Sequence, residues 1–194
     1  MVRIGVLSIQ GSVAEHAARL LEVDGVVPVR VRDEMDLSGI DGLIIPGGES
    51  TAIGRLLNEF NLLQPLRDRI ASGMPVWGTC AGMILLAREV ESEEPWIGSM
   101  DIVVRRNAYG RQTDSFRSIE MLPSVSGIPL ELVFIRAPII VRTGDDVEVL
   151  LRTNEGIAAA RQGSMLATAF HPELTSDNAF HAYFSSMVKK SKKG

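Results

Sequence analysis

Three times before residue 90 the chain repeats one pattern: a short apolar run, a tight turn, then residues at helical spacing. "RIGVLSI" (3–9) predicts a strand and "SVAEHAARLLEVDG" (12–25) an amphipathic helix ended by Gly25. "GLIIPGG" (42–48) predicts a strand and turn, and "STAIGRLLNEF" (50–60) a helix opening on a cap-type serine, Ser50. "PVWGT" (75–79) predicts a strand and "AGMILLARE" (81–89) a helix. Between these, "VVPVRV" (26–31) reads as a further strand and "LLQPLRDRIASG" (62–73) as a further helix. Pro28 cannot donate to a ladder on both sides, which points to a sheet edge. Strands that alternate with helices build parallel βαβ units whose faces the helices cover. The expected fold class is therefore three-layer α/β, with a mostly parallel central sheet and helices on both faces.

The second half follows a different rule. From Trp96 to Phe170 the runs are short and β-like: "WIGSMDIVV", "SFRSIEM", "LELVFI", "PIIVRT", "VEVLLR", "IAAARQ" and "MLATAF". These predict later strands of the sheet plus antiparallel ribbons. "SDNAFHAYFSSMVKK" (176–190) closes as a helix, with Ser176 or Asp177 as its cap and lysines at the end the dipole favours. No repeat or low-complexity linker divides the 194 residues, so residues 1–190 are expected to form one domain and 191–194 a frayed basic tail.

A net charge of −4 argues against a nucleic-acid partner. The apolar run at the N-terminus is short for a signal peptide, and glycines and Pro75 break the uncharged stretch 70–87, so no membrane segment is expected. A single cysteine forms no internal disulfide, which fits a reducing cytoplasm.

That cysteine, Cys80, lies within "GTCAG", flanked at two residues by Gly78 and Gly82. Strand, glycine-flanked turn and helix make the skeleton of a nucleophile elbow, with cysteine in the serine position. The turn strains the nucleophile's backbone, and side chains two residues away would clash. A thiol there faces a helix N-terminus, and the N–H of Ala81 can meet an oxyanion. A buried structural cysteine in a glycine turn is the plainer alternative.

A thiol nucleophile needs a base. His16 and His181 fall inside predicted helices, as packed or surface residues. His171 follows "MLATAF" at a strand end and opens "HPEL", so Glu173 stands where it can orient the imidazole; a helix-entry turn is the alternative. "IIPGGEST" ends another strand, and Gly47 and Gly48 can turn their N–H groups toward an anion, or simply make a βα turn. With "IQGS" after the first strand, four segments fall at strand C-termini: Gln10–Gly11, Pro46–Ser50, Gly78–Ala81 and His171–Glu173. In a parallel sheet those ends share one edge, where ligand sites gather.

"PGGES", "GTCAG" and "HPE", in that order, resemble the class I, triad-type glutamine amidotransferases. "IGVLSIQGSVAEH", "IIPGGEST", "WGTCAGMILLA", "RRNAYGRQTDSF", "FIRAP" and "AFHPELTSD" resemble, more closely, the glutaminase subunits of pyridoxal 5′-phosphate synthase, from residue 4 to about 184. "SEEPWI" (92–97) has no counterpart in that resemblance. It implies a flavodoxin-like amidotransferase fold and hydrolysis of L-glutamine to glutamate and ammonia. Cys80 would be the nucleophile, His171 the base and Glu173 its orienter. Glutamine would be bound by Gly48, Glu49, Ser50, Arg106, Ile135 and Arg136, with Gly48 and Ala81 as oxyanion donors and Gln10 and Gly11 in an activation loop. It further implies a synthase subunit as partner in a hetero-oligomer, with no metal and no cofactor on this chain. The glutaminase subunit of another amidotransferase is one alternative. A DJ-1/PfpI-like cysteine hydrolase is another, since such sites place a glutamate in an early strand-end loop and Glu49 keeps that open. A regulatory subunit that has lost the chemistry is the non-catalytic alternative.

Overall fold

The computed structural model describes residues 1–91, 93–108 and 115–193; residues 109–114 of the "RRNAYGRQTDSF" motif, with Ser92 and Gly194, lie outside the described residues. The first part runs β1 (Val2–Leu7), α1 (Val13–Leu21), β2 (Val26–Val31), α2 (Glu34–Ser38), β3 (Gly42–Ile45), α3 (Ser50–Glu59), α4 (Leu63–Ala71), β4 (Val76–Thr79), α5 (Ala81–Leu86) and β5 (Ala87–Val90). The second runs β6 (Met100–Arg105), β7 (Ser115–Glu120), β8 (Leu130–Ile135), β9 (Ile139–Thr143), β10 (Glu148–Arg152), β11 (Ile157–Gln162) and β12 (Met165–Thr168). A 3-10 turn (Pro172–Leu174) and α6 (Ala179–Ser191) follow.

Strands β2-β1-β3-β4-β12 pair in parallel, in that order. Beyond β12 the same sheet continues antiparallel through β11, β9 and β6, then closes on a parallel β5. Strand β10 pairs with β11 outside this path, while β7 and β8 form a separate antiparallel pair. The central strands β3 and β4 are buried residue by residue, as the unbroken apolar runs "GLII" and "VWGT" require of strands covered on both faces. Strand β2 is the outer strand, which accommodates Pro28. Helices α1 and α6 pack together beside β1, and α3 and α5 pack together with α5 on β3 and β4.

Three sequence expectations need correction. The helix after Cys80 ends at Leu86, not residue 89, because Ala87–Val90 pairs with β6 as β5; the partner strand overrides a local helical pattern. The cap of α3 is Glu49, not Ser50: its carboxylate accepts from Thr51 N–H at 3.2 Å and Ala52 N–H at 2.7 Å. Helix α6 begins later than 176, with Asn178 at the N-cap position, although the Asp177 carboxylate accepts from Ala179 N–H at 2.6 Å. Helix α2 went unread. Its signal is Asp33, whose carboxylate accepts from Asp36 N–H at 2.8 Å. At the C-terminus α6 continues to Ser191, and Lys192 Nζ lies 2.9 Å from Asp41.

Among the described residues, no helix is long and apolar enough to cross a membrane.

Candidate active site

Register sets the site. Thr79 of β4 is the parallel partner of Thr168 of β12, so the residues that follow leave the sheet side by side. Cys80 N–H donates to Thr168 O at 2.7 Å, and His171 N–H donates to Val133 O of β8 at 2.8 Å.

Cys80 stands between β4 and α5 with φ 48°, ψ −102°, a conformation that non-glycine residues seldom adopt. The flanking glycines are required by close approach. A Cβ on Gly78 would lie 2.4 Å from the Gly82 carbonyl, and one on Gly82 would lie 2.1 Å from Ile45 O of β3. Backbone occupies both directions, so neither contact can be relieved by a side chain moving.

A cleft of about 460 Å³ opens over the cysteine. All four predicted strand-end segments contribute to it: Gln10 and Gly11, Gly47 to Ser50, Cys80 with Ala81, and His171. Arg106, Ile135 and Arg136 line it as well, so the structure brings every sequence-predicted site residue except Glu173 to the cleft wall, and Glu173 lies directly behind His171. Two residues on this wall have left-handed backbone, Asn107 (φ 47°) and Arg136 (φ 42°). With Cys80 they make three strained positions around one cavity, a concentration expected at functional sites.

His171 Nδ1 donates to Glu173 Oε1 at 2.8 Å, and Ser12 Oγ donates to the same oxygen at 2.6 Å. Glu173 is 4% exposed. Burial pushes its carboxyl up, but His16, His171 and Ser12 outweigh this and hold it down at about 2. For His171, burial disfavours the imidazolium; hydrogen bonds to Cys80 and Glu173, with their charges, more than reverse that and raise it to about 10. Ile135 O lies 4.0 Å from Cys80 Sγ.

At the other end of the cleft Arg106 reaches Glu49 Oε1 at 3.2 Å and also pairs with Glu93. Burial pushes the Glu49 carboxyl up; the Ala52 and Thr51 donors and Arg106 outweigh it and hold it below the usual range. Both oxygens of Glu49 are thus committed to capping α3 and to Arg106. The Ser50 hydroxyl is buried with no hydrogen-bond partner among the described residues. Gln10 Oε1 accepts from Glu49 N–H at 3.0 Å, and the Gly47 carbonyl accepts from Ser12 N–H at 3.1 Å. Among the described residues, no group of three or more His, Cys, Asp or Glu side chains is set to hold a metal ion.

Sequence reading missed Ser12 as a donor to Glu173, Glu93 as a partner of Arg106, and the positions of His16 and His181. Both histidines are fully buried and bonded to each other, Nδ1 to Nε2 at 3.0 Å. A signal was present: the buried face of α1 carries His16 with Leu20, a polar ring in an apolar stripe.

A parallel sheet with a cysteine elbow at its C-terminal edge and a histidine–carboxylate pair on the neighbouring strand end is the arrangement expected of the glutamine amidotransferase class. In agreement, a solved structure of a glutamine amidotransferase is 41% identical and superposes with a TM-score of 0.90 over 96% of this chain and 98% of its own. Within that class the chain belongs to the SNO glutamine amidotransferase family, which matches residues 6–190. Curated relatives include pyridoxal 5′-phosphate synthase subunit PdxT of Frankia alni, 54% identical over 99% of this chain and 98% of the relative. The protein of the same name from Ruminiclostridium cellulolyticum is 53% identical over 97% and 100%.

Proposed function

We propose that the chain hydrolyses L-glutamine to glutamate and ammonia as the glutaminase subunit of a pyridoxal 5′-phosphate synthase, and that the ammonia passes to a synthase subunit docked at the cleft. The observation that carries this reading is the union of a strained elbow cysteine with a buried His171–Glu173 pair. The names of the whole-length relatives support the choice of partner.

His171 takes the thiol proton as the Cys80 sulfur attacks the side-chain amide carbon of glutamine. A tetrahedral oxyanion forms, stabilised by the N–H groups of Gly48 and Ala81. The C–N bond breaks, and His171 passes its proton to the departing nitrogen, which leaves as ammonia. Water then gives a proton to His171 and attacks the thioester; glutamate departs and the sulfur recovers its proton. Glu173 orients the imidazole throughout. Arg106 and Arg136 take the α-carboxylate, a charge-assisted pairing. The Ile135 carbonyl and the Glu49 carboxylate receive the α-ammonium, and the partnerless Ser50 hydroxyl supplies a further contact. Gln10 and Gly11 form the loop through which docking acts.

The DJ-1/PfpI-like alternative needs a glutamate turned to the cysteine. Glu49 faces the α3 N-terminus and Arg106 instead, which weighs against it. The test is ammonia release from glutamine by the purified chain, alone and with a pyridoxal 5′-phosphate synthase subunit. Ammonia coupled to coenzyme formation is the expected result; turnover of glycated or aldehyde substrates without glutamine hydrolysis would replace the reading.

A further inference from the structure

Behind the His171–Glu173 pair lies a second layer of polar groups that the reaction as drawn does not use. Glu173 Oε1 already receives two donors, His171 Nδ1 and Ser12 Oγ. Its other oxygen, Oε2, is buried and has no hydrogen-bond partner among the described residues, and the basic atom His16 Nε2 lies 3.4 Å from it. His16 Nε2 also lies 3.2 Å from Thr79 Oγ1, on the strand that delivers Cys80. The opposite nitrogen of the ring, Nδ1, meets His181 Nε2 at 3.0 Å. Ser12 and His16 are four residues apart, so α1 presents both to the carboxylate from one face. Ser12 stands at the N-cap of α1 yet makes no side-chain cap bond, because its hydroxyl goes to Glu173 instead.

One hydrogen separates His16 from His181, so the two rings must share a tautomeric order. If His16 carried its proton on Nδ1, a bare lone pair on Nε2 would face an ionised carboxylate oxygen inside the protein, with repulsion undamped by water. If His181 donates its Nε2–H to His16 Nδ1, then His16 carries its proton on Nε2 and offers it to Glu173 and Thr79. The atom left over is His181 Nδ1, a bare acceptor among aromatic rings, and it has no partner among the described residues. A bare acceptor is the lesser burden there than an orphan N–H.

We infer that His16 is a positioning residue for the glutaminase reaction: its Nε2–H holds the second oxygen of Glu173, with its tautomer set by His181. The carboxylate is thereby gripped from three sides, by Ser12, His171 and His16, and cannot rotate away from the imidazole during proton transfer. The arrangement parallels metal-bound histidines, whose outer partner fixes ring orientation and is worth about 10–100-fold in function. Burial holds both His16 and His181 below the usual histidine range, so the pair is neutral as the proposed order requires. The charged groups facing them are Glu173 and His171 at the site and Glu15 and Arg19 on α1.

The inference rests on the proposed roles of Cys80, His171 and Glu173, but its decisive measurement needs no turnover. The chain has three histidines, so the imidazole nitrogens of the unmodified protein can be assigned by ¹⁵N NMR at pH 7. The expected spectrum shows neutral His16 and His181, each protonated on Nε2. A proton on His16 Nδ1, or a doubly protonated His16, overturns the inference whatever the enzyme does. The kinetic counterpart compares His16→Leu with His16→Gln, with the synthase subunit present. His16→Leu should lower kcat about 10–100-fold with KM for glutamine within about twofold, and His16→Gln, whose amide N–H can reach Glu173, should recover most of the loss. A merely structural role predicts that both variants fall in step with folded fraction, measured by circular dichroism. Unchanged kcat in well-folded His16→Leu refutes the inference. If that variant does not fold, the nitrogen spectrum alone decides.

Discussion

Residues reach the cleft from two sides, and the two sides are made differently. Gln10 to Ser12, Gly47 to Ser50, Cys80 and His171 follow strands of the parallel set, so sheet register fixes where each begins. Arg106, Ile135 and Arg136 come from the ends of β6 and β8, in the antiparallel part, and present side chains or strained backbone. On the first side the decisive contacts are buried: Glu173 is 4% exposed and His171 8%. On the second, Arg106 keeps 28% of its side-chain exposure while paired to Glu49 and Glu93. Ion pairs that exposed are worth about 0–1 kcal/mol, so Arg106 can leave one carboxylate for another cheaply. Under the proposed function, rigid backbone register would serve the chemistry, and exchangeable side chains the recognition of the substrate.

The comparison breaks first at Cys80. Cys80→Ala should reduce ammonia release by about 10⁴-fold or more, with the fold retained; residual activity within tenfold of wild type would remove the nucleophile assignment. His171→Asn should cost a similar amount. Glu173→Gln should cost roughly 10–100-fold less, because it disorients the base without deleting it.

Next in size is the response to docking. Completing an oxyanion hole by one donor is worth on the order of 10²–10³ in rate. Turning the Gly47–Gly48 peptide requires breaking the Gly47 carbonyl bond to Ser12, and Gly11 packs against that carbonyl. Steady-state ammonia release should therefore rise by about that factor at saturating synthase subunit. Equal rates with and without it would mean that the parallel side is complete in the free chain.

The antiparallel side should answer in KM. Arg106→Ala should raise KM for glutamine about 10–100-fold, the loss of a charge-assisted contact, and leave kcat within about threefold. A proportional fall in kcat would erase the division between the two sides.

The smallest effect is in stability. The folded pKa of His171, about 10, lies above its unfolded value of 6.5, so the folded state holds the proton more tightly. The stabilisation is full below pH 6.5 and is lost as pH rises through about 10. Glu173 runs the other way: its pKa falls from 4.5 to about 2, so its contribution is present above pH 4.5 and disappears as pH drops through about 2. Urea denaturation of wild type and His171→Asn should give a stability gap that narrows between pH 6.5 and 10. A gap independent of pH would contradict the raised proton affinity of folded His171.

Legibility in the sequence divides along the same line. "GTCAG" and "PGGEST" could be read because their glycines answer to a local requirement, and "HPE" because it closes the apolar run "MLATAF". Gly78 and Gly82 admit no side chain, and the strands beside them are continuous apolar runs. What stayed hidden depends on partners distant in the chain. Residues 87–90 became a strand only because β6 lies beside them. His16 and His181 are 165 residues apart, and no window of sequence joins them. Glu49 took the cap from Ser50 because its longer side chain reaches back to two N–H groups, freeing the serine to turn inward. The left-handed backbone at Asn107 and Arg136 carries no glycine to announce it.

The two tryptophans give the molecule two emitters in unlike surroundings. Trp77 is fully buried; its Nε1–H donates to Thr168 Oγ1 at 3.0 Å, and its ring meets His16 and His181 edge-on. Trp96 is half-buried, its ring laid directly on Gly54 of α3 and its carbonyl held by Arg67, three residues from the Glu93 that grips Arg106. A solute quencher such as iodide reaches Trp96 and not Trp77. Under the proposed function, glutamine should therefore change iodide quenching of the accessible indole if Arg106 leaves Glu93 to take it, with the shielded indole as a built-in reference.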